Sequence, residues 1–419
     1  MREMKDSGIE WVGAIPAAWG VHRIASHFQE IKEKNTANAY SNALQFKMGK
    51  IIAKPQKWDE DETNETYSAY TVVHPNTIMI NGLNLEFDFV TQRVARVECN
   101  GIITSAYIAL SLRDDINAEY ICYLLKSYDA CRAFHSMGRG LRKILSYSEL
   151  KNKPIVVPPL AEQERIAAFL DAECAEIDAV LEKTRASIEE YKKLKQAVIT
   201  QAVTKGIRGD RPMKNSGIEW IETCPLNWTV CRIKNVIFPQ EKEVLPDDEI
   251  ITCFRDGEVT LRKNRREDGF TVSFTEHGYH GVDKGDLVIH GMDAFAGAIG
   301  CSDSRGKTTP VVHTCKTAGN NRFFMYFLRS MAYGNILMDL SNGVRIRSSD
   351  FRNFAKLGVF GAVMPPLEEQ NEIVDYIDGI VIQMDRLIQK KENLLTEIEN
   401  YKKSLIYEYV TGKKEVHPL

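Results

Sequence analysis

The stretch Pro158-Pro159-Leu160-Ala161-Glu162-Gln163 recurs as Pro365-Pro366-Leu367-Glu368-Glu369-Gln370, 207 residues further along the chain. A Pro-Pro pair does not lie inside a helix, but it does precede or open one. In the first copy, residues 162–205 follow without a glycine or a proline. Each copy therefore predicts a long helix, because about 40 residues at 1.5 Å each make a rod of roughly 60 Å.

Apolar residues recur along both predicted helices with a spacing close to seven, as Leu170 and Ile177 do in the first and Ile377 and Met384 in the second. Such a repeat indicates a coiled coil or a long packing of two helices. Because both helices come from one duplicated chain, we expect them to pack against each other. A second apolar series in the C-terminal helix comprises Ile373, Ile380, Leu387, Leu394 and Tyr401.

Matching segments extend over the whole chain and follow the same order in both copies. The sequence is therefore a tandem duplication of a unit of about 200 residues. A unit of this length is at least one domain and is too long for a solenoid repeat. The principal matches are Met4–Trp11 with Met213–Trp220, Ile78–Gly82 with Leu287–Gly291, and Gly140-Leu141-Arg142 with Gly343-Val344-Arg345.

The part of each copy that precedes its long helix has an α+β pattern. Runs of β-branched and aromatic residues bounded by glycine or asparagine predict strands, and longer runs predict helices at Glu119–Phe134 and Arg322–Leu340. The predicted strands of the first copy are Thr77–Ile80, Phe87–Val90, Arg93–Val97 and Tyr107–Leu110.

The composition is that of a globular protein with two or three domains. The 419 residues include 54 Lys+Arg and 57 Asp+Glu, for a net charge of −3. This balance excludes a uniformly basic nucleic-acid binder, but it is compatible with local basic faces. The nine cysteines are scattered without a C-x-x-C pair, which favours reduced thiols over a disulfide or zinc framework.

No apolar run is long enough for a transmembrane helix, and the N-terminal residues lack the apolar core of a signal peptide. We therefore expect a cytoplasmic protein without a membrane segment.

The sequence lacks convincing catalytic motifs, so we expect that the chain has no catalytic activity of its own. Cys301–Thr308 has Cys301 where a phosphate loop needs glycine, so we predict a turn before a strand there. The Pro-Pro pairs lack the amide and aromatic neighbours of an amino-methyltransferase motif. His277 and His280 have no convincing third ligand in the sequence. We accordingly predict no catalytic, cofactor or metal residues.

Local clusters of lysine and arginine are the features that point to a ligand. Such side chains neutralise phosphates, and arginine also reads guanine in the major groove. A merely solvated basic surface is the alternative. The candidates for DNA contact are Arg139, Arg142 and Lys143 before the first long helix, Arg345 and Arg347 at the matching place in the second copy, and the run Arg262, Lys263, Arg265 and Arg266. A looser run comprises Lys47, Lys50, Lys54 and Lys57.

This arrangement resembles the DNA-specificity subunits of type I restriction-modification enzymes. The resemblance rests on the Gly-Ile-Glu-Trp sequence that opens each copy and on the Pro-Pro-Leu-x-Glu-Gln sequence before each long helix. It implies two α+β target-recognition domains related by a pseudo-twofold, at residues 1–157 and 209–364. It also implies two conserved helical regions, at residues 158–208 and 365–419, packed antiparallel as a coiled-coil spacer.

The resemblance further implies a function. Each recognition domain would read one half of a split site in double-stranded DNA. The helices would fix the separation of the half-sites and dock two methyltransferase subunits, which restriction-translocase subunits then join. The chain itself would be non-catalytic, and S-adenosylmethionine, ATP and Mg²⁺ would belong to the partner subunits. The alternative is a scaffold that does not bind DNA, with duplicated α+β modules on a coiled-coil spacer.

Overall fold

The computed structural model describes residues 2–55, 66–89, 92–138, 143–265, 277–338 and 351–416. The chain folds into two compact units. The first comprises Met1–Arg185 and Asn393–Leu419, and the second comprises Ala186–Glu392. The unit boundaries therefore fall inside the two long predicted helices, and each unit combines one α+β module with the beginning of one long helix and the end of the other.

The first unit contains the strands of the first module. They are short, and most central positions carry buried β-branched side chains. The strands are β1 (Met4–Asp6), β2 (Ala14–Pro16), β3 (Gly20–Arg23), β4 (Phe28–Glu30), β5 (Leu44–Lys47), β6 (Lys50–Ala53), β7 (Thr71–Val73), β8 (Ile78–Ile80), β9 (Val94–Arg96), β10 (Gly101–Ile103), β11 (Ile108–Leu112) and β12 (Pro154–Val157).

The second unit repeats this set in the same order. Its strands are β13 (Met213–Asn215), β14 (Thr223–Pro225), β15 (Thr229–Arg232), β16 (Ile237–Pro239), β17 (Ile251–Cys253), β18 (Val259–Leu261), β19 (His280–Val282), β20 (Leu287–His290), β21 (Ile299–Cys301), β22 (Gly306–Thr308), β23 (Val312–Thr317) and β24 (Gly361–Met364).

The sheet topology of the two modules is the same. Each has a four-stranded antiparallel sheet, with strand order β4-β11-β8-β9 in the first unit and β16-β23-β20-β21 in the second. In the first, Ile108 pairs with Ile80, and in the second Leu287 pairs with Cys315. Each remaining strand pair of the first unit, such as β3 with β12, also has a counterpart in the second, here β15 with β24. The duplication in the sequence is therefore a duplication of an α+β fold.

The helices include two that are far longer than the rest. These two begin directly after the Pro-Pro pairs, as predicted. The helices are α1 (Ile24–His27), α2 (Ala118–Ala130), α3 (Tyr147–Leu150), α4 (Leu160–Lys205), α5 (Asn321–Tyr333), α6 (Phe354–Gly358) and α7 (Leu367–Val410).

Within each unit, the segments of the two long helices run antiparallel. In the first unit Lys402 pairs with Asp178 at 2.6 Å, and Phe169 packs on Tyr409 with ring centroids 4.5 Å apart. In the second unit Lys195 pairs with Asp385 at 2.5 Å. Arg208, just beyond the end of α4, pairs with Glu372, nearer the start of α7, at 2.7 Å. The predicted packing of the two helices against each other is present within each unit.

Only the beginning of the second apolar series of α7 lies in this packing, where Ile373 is buried. Leu387, Leu394 and Tyr401 are 42%, 44% and 56% exposed, so their prediction as a buried seam is wrong. Ile388 and Leu405 are buried instead. A straight helix has 3.6 residues per turn, so a strict seven-residue series drifts around its surface and leaves the contact face.

The Pro-Pro-Leu-x-Glu-Gln sequence holds the start of each long helix against its module. Gln163 is fully buried, donates to the carbonyl of Pro158 at 2.9 Å and accepts from the amide of Asn117 at 2.9 Å. Gln370 makes the same two bonds, to Pro365 and Asn320, at 2.8 Å each. Asn117 and Asn320 are the N-caps of α2 and α5, so each glutamine joins two helices of its unit.

Three smaller predictions meet different outcomes. Phe87–Phe89, the described part of the predicted Phe87–Val90 strand, lies instead in a turn closed by bonds from the amides of Phe87 and Asp88 to the carbonyl of Asn84, and Val90 lies outside the described residues. Helix α2 ends before Phe134, since Arg132 takes a left-handed conformation. The expected turn between Cys301 and Thr308 is confirmed, between β21 and β22.

Candidate nucleic-acid interface

Gly82, just after strand β8 of the first unit, is hydrogen-bonded to the backbone that follows the basic Gly140-Leu141-Arg142 sequence. The amide of Leu145 donates to the carbonyl of Gly82 at 2.9 Å. A Cβ on Gly82 would overlap the carbonyl oxygen of Leu145, so the close approach needs glycine. The segment that precedes the first long helix is thereby attached to the four-stranded sheet.

The second unit has the same arrangement. The amide of Phe351 donates to the carbonyl of Gly291 at 2.8 Å, and a Cβ on Gly291 would lie 2.7 Å from the carbonyl oxygen of Val311. Gly82 and Gly291 are matched positions of the sequence duplication. In each unit, then, the sheet holds the end of the segment that carries the predicted arginines.

Five of the nine predicted DNA-contacting residues lie outside the described residues: Arg139, Arg142, Arg266, Arg345 and Arg347. Lys143 is described. It is exposed, its backbone has a φ of 38°, and its carbonyl accepts from the amide of Leu85 at 3.3 Å. A left-handed lysine is unusual and costs backbone energy, which makes this position a candidate for function.

The three described residues of the second basic run have acidic or polar partners near their own hairpin, β17–β18. Lys263 pairs with Glu249 at 2.5 Å. Arg265 pairs with Asp256 at 2.5 Å, and its guanidinium lies 4.4 Å from the centroid of the Phe254 ring. The hydrogen bond to Asp256 raises the pKa of Arg265. These cations would have to exchange partners to bind phosphate.

Arg262, the first residue of that run, donates from Nε to the hydroxyl of Thr252 at 3.3 Å. In the looser run of the first unit, Lys47 and Lys50 close the β5–β6 hairpin, whose tip is Met48, 78% exposed. Lys54 lies 6.0 Å from the ring centroid of Tyr67. Lys57 lies outside the described residues. The two runs belong to different units.

Sequence reasoning missed a group of side chains beside Lys143. The connection from β8 to β9 presents Phe87 and Phe89, which are 77% and 55% exposed. The ring of Phe89 stacks on His135 at 5.1 Å and 9°, and the guanidinium of Arg132 lies 5.2 Å from the Phe89 centroid. Asn81 and Asn84 in the same connection favour turns, and they are the signal in the sequence that could have predicted one here.

A buried cation fixes this connection. The guanidinium of Arg93 is fully buried and donates to the carbonyls of Asn81, Leu83 and Asp88 at 3.1, 2.7 and 2.6 Å. Its carboxylate neighbour is Asp88, at 3.8 Å. A buried charge is tolerated when it is hydrogen-bonded in this way. The turn is therefore held at its base while its phenylalanines face outward.

The part of the chain that the structure describes contains no cluster of three or more His, Cys, Asp or Glu side chains suited to a metal ion. Among the same residues, no helix is long and apolar enough to span a membrane.

Comparisons with known proteins agree with this architecture. The profile of the type I restriction modification DNA specificity domain matches residues 100–190. The putative type I restriction enzyme MjaX specificity subunit of Methanocaldococcus jannaschii is 22% identical over 97% of this chain and 96% of its own length. The chain is therefore similar, along nearly its whole length, to a type I specificity subunit.

Two further proteins are similar to this chain in sequence or in fold. The Escherichia coli type I restriction enzyme EcoBI specificity subunit is 23% identical over 65% of this chain and 60% of its own length. A solved chain from a study of assembly and conformational transition of the type I R-M system shares the fold, with a TM-score of 0.68 at 14% identity over 96% of this chain and 99% of that one. The two relatives in sequence are specificity subunits of type I restriction enzymes.

Proposed function

We propose that each of the two units reads one half of a split site in double-stranded DNA. One observation carries the proposal: both modules have the same strand order and the same glycine-held segment, while the loops and charged groups around that segment differ. A shared frame with different surfaces is what two half-sites of different sequence require.

The distribution of charge supports this division. The two long helices hold 19 acidic and 12 basic residues, so the rest of the chain has 42 basic and 38 acidic residues. The modules are therefore slightly basic, as a surface that meets phosphates should be. The acidic helices are less suited to DNA and better suited to protein partners or solvent.

The partners follow from the same assignment. Two methyltransferase subunits dock on the helices, and restriction-translocase subunits join them, so the specificity subunit directs their chemistry to its site. S-adenosylmethionine, ATP and Mg²⁺ are then bound by the partners, and the assembly acts in the cytoplasm. The recognition domains correspond to residues 1–157 and 209–364, and the conserved helical regions to 158–208 and 365–419, which set the number of base pairs between the half-sites.

A selection from random duplexes tests the proposal. The specificity subunit, assembled with its methyltransferase partner, is used to select bound duplexes, which are then sequenced. We expect two short conserved segments separated by a spacer of fixed length and free sequence. Enrichment of one continuous segment would contradict two separate readings. Equal binding of all duplexes would favour a scaffold that does not read DNA.

A further inference from the structure

We propose that Phe87 is a wedge that enters a base step of the DNA bound by the first unit, with Arg132 and Lys143 holding the flanking phosphates. The proposal rests on the proposed function, and it adds a residue that acts by deforming the duplex. Proteins that kink DNA insert apolar side chains between bases in this manner.

The exposure of Phe87 is the first observation. With 77% of the residue accessible, it leaves a large apolar surface in water at the tip of a turn. Nearby Leu85 is 1% exposed and packs in the core of the unit. The same connection therefore buries one apolar side chain and leaves Phe87 in water. An exposed phenylalanine of this kind is typical of a surface that meets a partner.

The rigidity of the turn is the second observation, because a wedge must resist the stacking energy of the bases that it separates. Arg93 fixes three carbonyls of the connection from inside the unit. The ring of Phe89 is braced between His135 and Arg132, and His135 Nε2 also lies 3.2 Å from the carbonyl oxygen of Asp88. Phe87 therefore projects from a turn that is supported on both sides.

The charge around the turn is the third observation and identifies the partner. Arg132 and Lys143 are both exposed, and Asp88 lies against the buried Arg93. Glu86 is the remaining acidic side chain of the turn, so the two cations outnumber it. An exposed aromatic ring on a turn that two cations contact suits a stacked base with phosphates nearby.

Strain in the backbone points to the same place. Asn84, Arg132 and Lys143 all have positive φ, at 53°, 59° and 38°. Arginine and lysine rarely adopt this conformation, and strained residues of this kind cluster at functional sites. Asn84 lies in the same turn as Phe87, Lys143 accepts a hydrogen bond from Leu85, and Arg132 contacts Phe89.

The second unit has no equivalent wedge among its described residues. Its corresponding connection, from β20 to β21, is shorter, and its phenylalanine, Phe295, packs partly buried against the core of that unit. The deformation should therefore occur in one half-site only.

The test uses the subunit assembled with its methyltransferase partner and duplexes of the selected site in which 2-aminopurine replaces single bases. In the wild type we expect a rise in 2-aminopurine fluorescence at one step of the first half-site. Phe87→Ala should abolish the rise and weaken binding about tenfold or more, the loss typical of one base–aromatic stack. The dependence of binding on salt should not change, because the lost side chain is uncharged.

Three variants make the test specific. Phe87→Trp keeps an aromatic ring and should retain the fluorescence rise. Phe238→Ala removes another partly exposed phenylalanine, in the second unit, and should leave the first half-site unaffected. Arg132→Gln should reduce the slope of log affinity against log salt by about one, as expected for a lost phosphate contact.

The outcomes separate this proposal from the function on which it rests. If the wild type selects its site, and Phe87→Ala shows the same fluorescence and affinity as the wild type, the proposed wedge is wrong. The wedge is also wrong if the wild type shows no rise in fluorescence and binds more weakly when one thymine is replaced by uracil. That result would mean that Phe87 contacts the methyl group of the thymine. Failure of the wild type to prefer its site over random duplex would refute the proposed function.

Discussion

Leu145 donates its amide proton to the carbonyl oxygen of Gly82 across 2.9 Å, and Phe351 repeats this bond to Gly291 at 2.8 Å. Each bond joins the central sheet of a unit to the backbone after the basic Gly-x-Arg sequence. The basic segments are thus attached to the rigid part of each module, where a reading surface is best placed.

Replacing Gly82 by alanine tests this attachment. The new Cβ would meet the carbonyl of Leu145, so the segment must shift, and we expect weaker binding to the first half-site with the second retained. Overpacking of this kind costs about 1–3 kcal/mol. The assay is binding of the assembled subunit to duplexes mutated in one half-site. Gly291→Ala is the matched variant and should show the reverse pattern. Equal losses at both half-sites for each variant would contradict the attachment.

Replacing Gln163 by leucine should destabilise the first unit. The amide of Asn117 and the carbonyl of Pro158 would lose their buried partner, at a cost of about 1–3 kcal/mol for each unsatisfied group. Thermal unfolding and hydrogen exchange of α2 measure the effect. Gln201→Leu, on the exposed face of α4, is the control and should be near neutral. Equal stability of the two variants would show that Gln163 does not join the helices.

The end of α7 should be required for the first unit to fold. The hydroxyl of Tyr120 donates to the carbonyl of Val410 at 2.9 Å in the core, and burial raises the pKa of Tyr120. Tyr120→Phe should cost about 1 kcal/mol. Deletion of residues 393–419 should cost much more and should increase hydrogen exchange in β8 and β11, with smaller effects in β20 and β23. The prediction fails if the deletion leaves exchange in the first unit unchanged.

Arg93→Met should disorder the connection from β8 to β9. The substitution keeps an apolar stem, but it leaves the carbonyls of Asn81, Leu83 and Asp88 without their donor, and losses of several kcal/mol are typical. Increased hydrogen exchange in residues 81–89 is the expected result. Arg96→Met, a more exposed arginine on β9, is the control.

Acid should destabilise the second unit through a charge network. The pKa of Asp248 is lowered by its hydrogen bond to Arg305, and that of Asp283 by its hydrogen bonds to Lys242 and Arg305. Both folded-state pKa values are below the unfolded value of about 3.9, so the network stabilises the unit above that pH and loses its effect as the pH falls through the lower values. Asp283→Asn should flatten the decline of the unfolding temperature below about pH 4; an unchanged decline would exclude a role for Asp283.

The sequence predicts the architecture well for definite physical reasons. The Pro-Pro pairs and the absence of glycine and proline in residues 162–205 predict α4, and the repeated order of matches predicts two equal modules. Periodicity is weaker evidence, because Leu387 and Tyr401 fit a seven-residue series and are nevertheless exposed.

The site was less predictable. The basic runs predict Lys143 and Arg265 as DNA contacts, but they do not show that Arg265 pairs with Asp256, since that contact depends on how β17 and β18 pair. The exposed Phe87 was predicted to lie in a strand, because alternating aromatic residues are typical of strands. The structure has a turn there instead, closed by hydrogen bonds to the carbonyl of Asn84 and held at its base by the buried Arg93.

Exchange of one module is the most direct test of the central claim that the two units read independent half-sites. Residues 213–364 are replaced by the corresponding module of another type I specificity subunit, and methylated positions are mapped in a host that supplies the methyltransferase partner. We predict that one half of the methylated motif changes and the other half, with the spacer, is retained. A change in both halves, or in neither, would contradict the account.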